Sequence, residues 1–511
     1  MDIKTTIIRQ LAARRAKQLE KYYSEADQIQ SKQLQRVIST LSRTKYGTEL
    51  GVQRRTSYVK YTKQVPLVKY EHIADKIEEM LQGGKHVLTD ERTSWFAKSG
   101  GTTNAKSKYV PANPLHLKNC HFKGGLDATL IYLLNHPESE LFAHKAFALA
   151  GSYDKDSSSG RDIHTGDLSA VLLMQMPAFG RLLRVPSVDL VLYPEWEHKL
   201  DIVTDAILKE DISNISGVPS WMLSVLKELL RKSGKSTIKE LWPNLEVFFH
   251  GGIAFAPYEK EYHKVLGEGV HYQEIYNASE GFFGIQDDPN DRSMLLMLDY
   301  GVFYEFIPMD QYDEADLQSC PTLPLEDVEV GKNYAIVMST LGGLYRYIIG
   351  DTVSFTSKNP YKFIITGRTK SFINAFGEEL MVTNADEAFS ILSEELNCKI
   401  REYTAGPVFL SEKGKGYHHW VLEWEEAPED MNHFAKRYDE VLQQLNSDYE
   451  AKRYKDFSLQ PPVIDVVPSG TFYEWLKAQG KLGGQNKVIR LTKSDEIVKE
   501  VLAVAKGMEG R

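Results

Sequence analysis

At 511 residues, with 42% hydrophobic and 26% charged side chains, the chain is too long for one ordinary core and too apolar to be disordered, so two or more domains are expected. Its formal net charge of -9, with both signs mixed along the sequence, supplies no basic footprint, and no nucleic acid partner is expected. Cys120, Cys320 and Cys398 are too scattered for a disulfide framework or a zinc site, the first residues lack a signal-peptide core, and no run of about 18 apolar residues occurs; a cytoplasmic protein acting on small molecules, with no membrane partner, is expected.

In residues 7–41, Leu, Ile and Tyr recur at helical spacing among Lys, Arg, Glu and Gln, which predicts a long amphipathic helix or helix pair whose charges form a solvated face. Next comes Lys98-Ser99-Gly100-Gly101-Thr102-Thr103-Asn104-Ala105-Lys106-Ser107-Lys108. Glycines let several backbone N–H groups turn toward one anion, hydroxyls add donors and lysines compensate its charge. The loop therefore reads as a phosphate socket, with a plain surface connector as the alternative. Residues 100–107 nearly spell a P-loop, but Ala105 replaces its last glycine and Tyr109-Val110-Pro111-Ala112-Asn113-Pro114 follow. Two prolines so close favour extended chain over the helix that a P-loop opens.

Residues 126–134 read as a helix ending near Asn135-His136-Pro137, and residues 154–160 as a loop with solvated acids. Met174, Met176 and Phe179 lie in an apolar stretch read as core, with substrate contacts as the alternative. Residues 245–249 form a short apolar run stopped by His250-Gly251-Gly252, the pattern of a buried strand that ends in a ligand-facing loop. Similar runs at 294–298, 334–338 and 363–365 alternate with helical segments, which implies α/β architecture with its site on loops at strand ends.

Three further clusters carry chemistry. YNASEGFFG at 276–284 sets an acid beside an aromatic ring and a hydroxyl in a glycine-bounded turn, where Glu280 can hold Mg2+ and Tyr276 can stack on a base; the alternative is an exposed turn with a solvated Glu280. YRYIIGD at 345–351 follows an apolar strand and Gly342-Gly343. There Asp351, read as lying just past the strand, either accepts from two ribose hydroxyls or ends a solvated β-turn. GRTK at 367–370 reads as a charged turn or an interdomain hinge. The pairs His116 with His121 and His418 with His419 match no zinc spacing, and no G-x-S-x-G elbow occurs, so neither histidine metal ligation nor hydrolase chemistry is expected.

In this order, SGGTT, YNASEG, YRYIIGD and GRTK resemble the phosphate loop, metal and adenine motif, ribose motif and hinge of adenylate-forming enzymes, and more closely those of the GH3 acyl acid amido synthetases. The resemblance implies an α/β fold: a large N-terminal α/β adenylation domain at 1–366 with β-sheets flanked by helices, a hinge at 367–370, and a small mobile α+β C-terminal lid domain at 371–511. It implies ATP and Mg2+ as cofactors. Ser99, Gly101, Thr102, Thr103 and Lys108 would surround the triphosphate, Gly251 and Gly252 would flank the adenine opposite Tyr276, and Ser279 would join the nucleotide contacts. Glu280 would be the magnesium ligand and a catalytic residue, with Asp351 and Arg368 on the ribose. Gly100 and Ala105 stand where the family has Ser and Gly.

GGQNKVIR at 483–490 resembles the family's terminal Q-x-K-x-P-R segment, making Lys487 the implied catalytic lysine, with Ile489 where proline is usual. The implied partners are a small-molecule carboxylic acid, which is adenylated with release of pyrophosphate, and an amino acid, whose amine takes the acyl group and releases AMP. The acyl pocket is expected between about 115 and 180 and along the strand of Phe248 and Phe249. A monomer is expected. A thioester-forming acyl-CoA ligase and a catalytically inactive nucleotide-binding relative are the alternative readings.

Overall fold

The amphipathic N-terminal segment forms a helix pair, α1 (Ile3–Leu19) and α2 (Ala26–Leu41), broken by a 3-10 turn at Glu20–Tyr23. This computed structural model describes residues 3–509 apart from 100–107, 152, 157–161, 194–195, 253–254, 256–257, 370–371, 374, 376–377, 379, 410–415, 447–448, 451–452, 454–458, 480–487 and 493. Tyr22 holds the break in place, because its buried hydroxyl donates to Asp299 Oδ1 at 2.6 Å and accepts from the Leu298 N–H at 3.1 Å. The charge run is not a uniformly solvated face. Arg15 is only 5% exposed and donates to Asp127 at 2.8 Å and to both oxygens of Asp299 at 2.7 and 2.8 Å. From α2, Gln30 donates to the carbonyls of Leu298 and Val302 and accepts from the Tyr304 N–H, which pins the helix to the sheet below it.

By compactness the chain divides into two units. The first comprises the described residues of 1–100, 106–349 and 353–364, and the second those of 350–352 and 365–511. A twelve-stranded sheet runs, in spatial order, Leu323–Pro324, Val302–Pro308, Asn333–Thr340, Tyr347–Lys358, Tyr361–Arg368, Met294–Leu296, Gly281–Ile285, His271–Ala278, Val247–His250, Ile212–Gly217, Lys145–Ala148 and Arg184–Val185. His271–Ala278 pairs antiparallel with Gly281–Ile285 on one side and parallel with Val247–His250 on the other, so the strand bearing the YNASEG motif is where the two pairing modes meet. The parallel strands read as short apolar runs because helices cover them; Trp242, Tyr262, Met222 and Phe248 belong to one buried cluster.

A four-stranded sheet contains Trp95–Ser99 between Lys108–Pro111 and Ile163–Asp167, with Tyr153–Asp156 on the outer edge. Residues 154–156 are therefore strand, not the loop predicted from their charges: on an edge, Asp154 and Lys155 stay in water while the backbone pairs with Ile163–Asp167. Phe179 is 51% exposed rather than core, since the short helix Ala178–Leu182 contributes no buried residue.

In the second unit a three-stranded sheet, Lys399–Phe409, Gly416–Glu426 and Val463–Val467, carries the helices Val382–Leu396 and Met431–Leu445. Their contact is built on Phe389 stacked against Tyr438 with ring centroids 4.5 Å apart. The molecule is thus a large N-terminal α/β unit followed by a smaller α+β one. No helix among the described residues is long and apolar enough to cross a membrane.

Candidate active site

Ligands in open α/β sheets bind beyond the carboxyl ends of strands where the strand order or direction changes. Here the parallel neighbours Val247–His250 and His271–Ala278 end at the same sheet edge, one continuing into Gly251-Gly252 and the other into the Ser279–Glu280 turn. Gly251 is required by this approach, because a Cβ there would lie 2.1 Å from the Ile275 carbonyl oxygen, and Gly252 adopts φ +85°. The two predicted adenine and metal motifs are therefore brought together.

At the turn, Glu280 is 7% exposed and Ser279 4% exposed, and the Ser279 hydroxyl has no hydrogen-bond partner. A buried hydroxyl without a partner is costly, and a phosphate oxygen or metal-bound water would satisfy it. With the carboxylate beside it, the pair fits an ion that takes oxygen ligands. Tyr276 is buried at the end of its strand, where it meets Phe283 edge-on at 5.0 Å.

Beneath the turn lies a set of residues that no motif had marked. The helix Phe122–Asn135 is entered through one π-helical turn, Leu117–His121, which directs several side chains at the hairpin. His116 Nε2 lies 3.0 Å from the Glu280 carbonyl oxygen and must carry the proton, since a carbonyl only accepts. His121 Nδ1 contacts Asn277 Oδ1 at 2.9 Å, and the Cys120 thiol accepts from the Phe282 N–H at 3.1 Å. π-turns inside α-helices recur at functional sites. The only sequence signal was His116, Cys120 and His121 spaced four and one residues apart.

Burial lowers His116 to about 4 and His121 to about 3, and it lowers His250, stacked on Phe255 beside the glycine loop, to about 3. All three are neutral in the fold, while in the unfolded chain each binds a proton near 6.5. Stability should therefore be present above that pH and fall on acidification, by roughly 1.5 kcal/mol for each histidine between about pH 6.5 and about pH 5. Glu274, raised to about 7 by burial, acts in the opposite sense and offsets part of the loss. Urea unfolding midpoints across that window check this; a flat profile would refute it.

The predicted phosphate loop joins two antiparallel strands, with Ser99 opposite Lys108. It is not the strand-to-helix junction of a P-loop. Gly101, Thr102 and Thr103 lie outside the described residues. The Lys108 ammonium sits 3.3 Å from Glu71 and 5.4 Å from the centre of the Tyr70 ring.

Within YRYIIGD only the last residue resembles a ligand contact. Arg346, in the left-handed region at φ +46°, donates to Glu305 and to the carbonyls of Thr62 and Val65, and Tyr345 donates to the Leu88 carbonyl. In the second unit Asp351 lies within the Tyr347–Lys358 strand rather than past its end, and its carboxylate pairs with Arg368 at 2.9 Å. The Thr369 N–H donates to the Gly350 carbonyl across the same strand pair, which holds the two predicted ribose residues face to face. Lys487 lies outside the described residues. Three residues on, Arg490 pairs with Asp386 at 2.7 Å and with Glu402 at 3.3 Å.

The fold is similar to that of 2-hydroxyisobutyryl-CoA ligase, with a TM-score of 0.57 and 13% identity, covering 94% of this chain and 92% of that one. A GH3.15 acyl acid amido synthetase matches with a TM-score of 0.75 and 17% identity, over 96% and 95% of the two chains. In sequence, the indole-3-acetic acid-amido synthetase GH3.4 of Arabidopsis thaliana is 26% identical over 94% of this chain and 92% of its own length. The GH3 family N-terminal, central and C-terminal domains match residues 15–270, 295–368 and 382–496. The chain belongs to the GH3 family.

Proposed function

We propose that this chain is an ATP-dependent acyl acid amido synthetase, which adenylates a carboxylic acid and then passes the acyl group to an amino acid amine. The observation that carries this reading is the sheet-edge turn where the buried Glu280 carboxylate adjoins the unpartnered Ser279 hydroxyl, within a chain of GH3 family. In the first half-reaction a substrate carboxylate oxygen attacks the α-phosphorus, the bond to the β-phosphate oxygen breaks and pyrophosphate leaves. In the second, an unprotonated amine attacks the acyl carbon of the mixed anhydride, and AMP leaves as the amide forms.

Like charges oppose the first attack, so the site must neutralise the transferring group. Glu280 would hold Mg2+, which would screen the charge of the phosphates; one protein carboxylate is a usual complement for Mg2+ on a nucleotide. Ser99, Gly101, Thr102, Thr103 and Lys108 would grip the triphosphate, and Lys487 would approach the α-phosphate. Gly251 and Gly252 let backbone approach the adenine opposite Tyr276. Asp351, oriented by Arg368, would accept from the ribose hydroxyls. We assign residues 1–366 to adenylation, 367–370 to the hinge and 371–511 to a mobile lid domain. The protein is proposed to act as a cytoplasmic monomer.

The test is pyrophosphate release from ATP and Mg2+ with a panel of aromatic and aliphatic carboxylic acids, each run without acceptor, with mixed amino acids and with CoA. Acid-dependent release accelerated by amino acids is expected. Acceleration by CoA alone would make the chain a thioester ligase, and ATP binding without release from any acid would make it a binding protein.

A further inference from the structure

None of the nucleotide and metal contacts proposed above comes from the 113–121 segment, yet that segment is tied to two loops at the sheet edge. It begins two residues after Lys108–Pro111, the strand that leaves the phosphate loop. Asn113 caps the helix by accepting from the His116 N–H at 2.7 Å and donates its own amide to the Leu341 carbonyl at 2.9 Å. His116 then donates from Nε2 to the Glu280 carbonyl. Its ring is 1% exposed and has little room to rotate: a Cβ on Gly342 would lie 2.9 Å from it, and His121 meets it edge-on at 5.2 Å. His121 and Cys120 secure Asn277 and Phe282, which pair with each other across the two strands flanking the turn.

We propose that His116 is a positioning residue for Glu280: its imidazole ties the Ser279–Glu280 turn to the Asn113–His116 segment, which Asn113 in turn anchors to the Leu341 carbonyl, so that the metal-binding carboxylate is held in one place. This rests on reading Glu280 as the Mg2+ ligand. His116 acts on the backbone of the turn and touches no substrate. A neutral, rotationally fixed imidazole suits this role because it presents one donor in one direction, and Nδ1, which has no partner, leaves no competing bond to turn the ring.

The test compares His116→Gln, whose amide reaches the Nε2 position, with His116→Asn, whose amide falls short of it. ATP affinity is measured by calorimetry on the full chain as a function of Mg2+, beside thermal unfolding. His116→Asn should raise the Mg2+ concentration for half-maximal ATP affinity by about tenfold or more, and His116→Gln by no more than about threefold, since removing a group that orients a metal ligand typically costs about 10- to 100-fold. An unchanged Mg2+ dependence in His116→Asn, or equal defects in both variants that follow their loss of stability, would overturn the proposal. Glu280→Gln is run in parallel. If it leaves the Mg2+ dependence intact, the reading of Glu280 falls and this proposal with it; if it abolishes that dependence while His116→Asn does not alter it, only the positioning role falls.

Discussion

Glu280→Gln should lower acid-dependent pyrophosphate release by about 100- to 1,000-fold, the cost of removing one well-placed electrostatic group from a preorganised site. The substitution is nearly isosteric at a 7% exposed position, so the fold should be retained. Measuring both quantities on one preparation separates chemistry from folding. A variant with normal pyrophosphate release would remove Glu280 from the mechanism, and one whose activity loss tracked a lower unfolding temperature would reduce it to a structural role.

The largest effect on stability is expected at Arg15. Its guanidinium faces Asp127 and Asp299, and Lys123 Nζ also lies 2.8 Å from Asp299. The two carboxyls respond differently: burial pushes Asp127 up, while Arg15 and Lys123 together hold Asp299 well below the usual carboxylate range. Asp299 therefore contributes stability that is present above its unfolded pKa and lost as pH falls through the lower folded one. Arg15→Met leaves the buried Asp127 and the half-buried Asp299 with one cation beside them and should cost about 3–5 kcal/mol, read from urea unfolding at neutral pH. Adding Asp127→Asn and Asp299→Asn should recover much of that loss, because the penalty lies in unpaired buried charge rather than in the missing attraction. A single-variant cost under about 1 kcal/mol would mean that water reaches the cluster.

Most elements that position the site were legible in the chain. The 245–249 run overlaps the strand Val247–His250, the 126–134 periodicity lies within the helix Phe122–Asn135, and the amphipathic N-terminal segment is a helix pair. These follow from local periodicity and from glycine and proline, which act on their immediate neighbours. The edge strand at 153–156 was not legible, because its pairing depends on residues 163–167, and its charges alone resemble a loop. The position of Asp351 was not legible for the same reason: it is expected just past a strand, yet the backbone continues as strand through Gly350 at φ +91°.

By itself the sequence determined the family, because the motifs that carry it are particular residue types within a few consecutive positions and survive as short strings. Only the tertiary structure decided which neighbouring residues hold them. Arg15 looks like one more solvated charge until Asp299, 284 residues away, is folded against it. His116 meets its partner 164 residues on through a backbone carbonyl, an acceptor that every residue carries and that no side-chain pattern reveals.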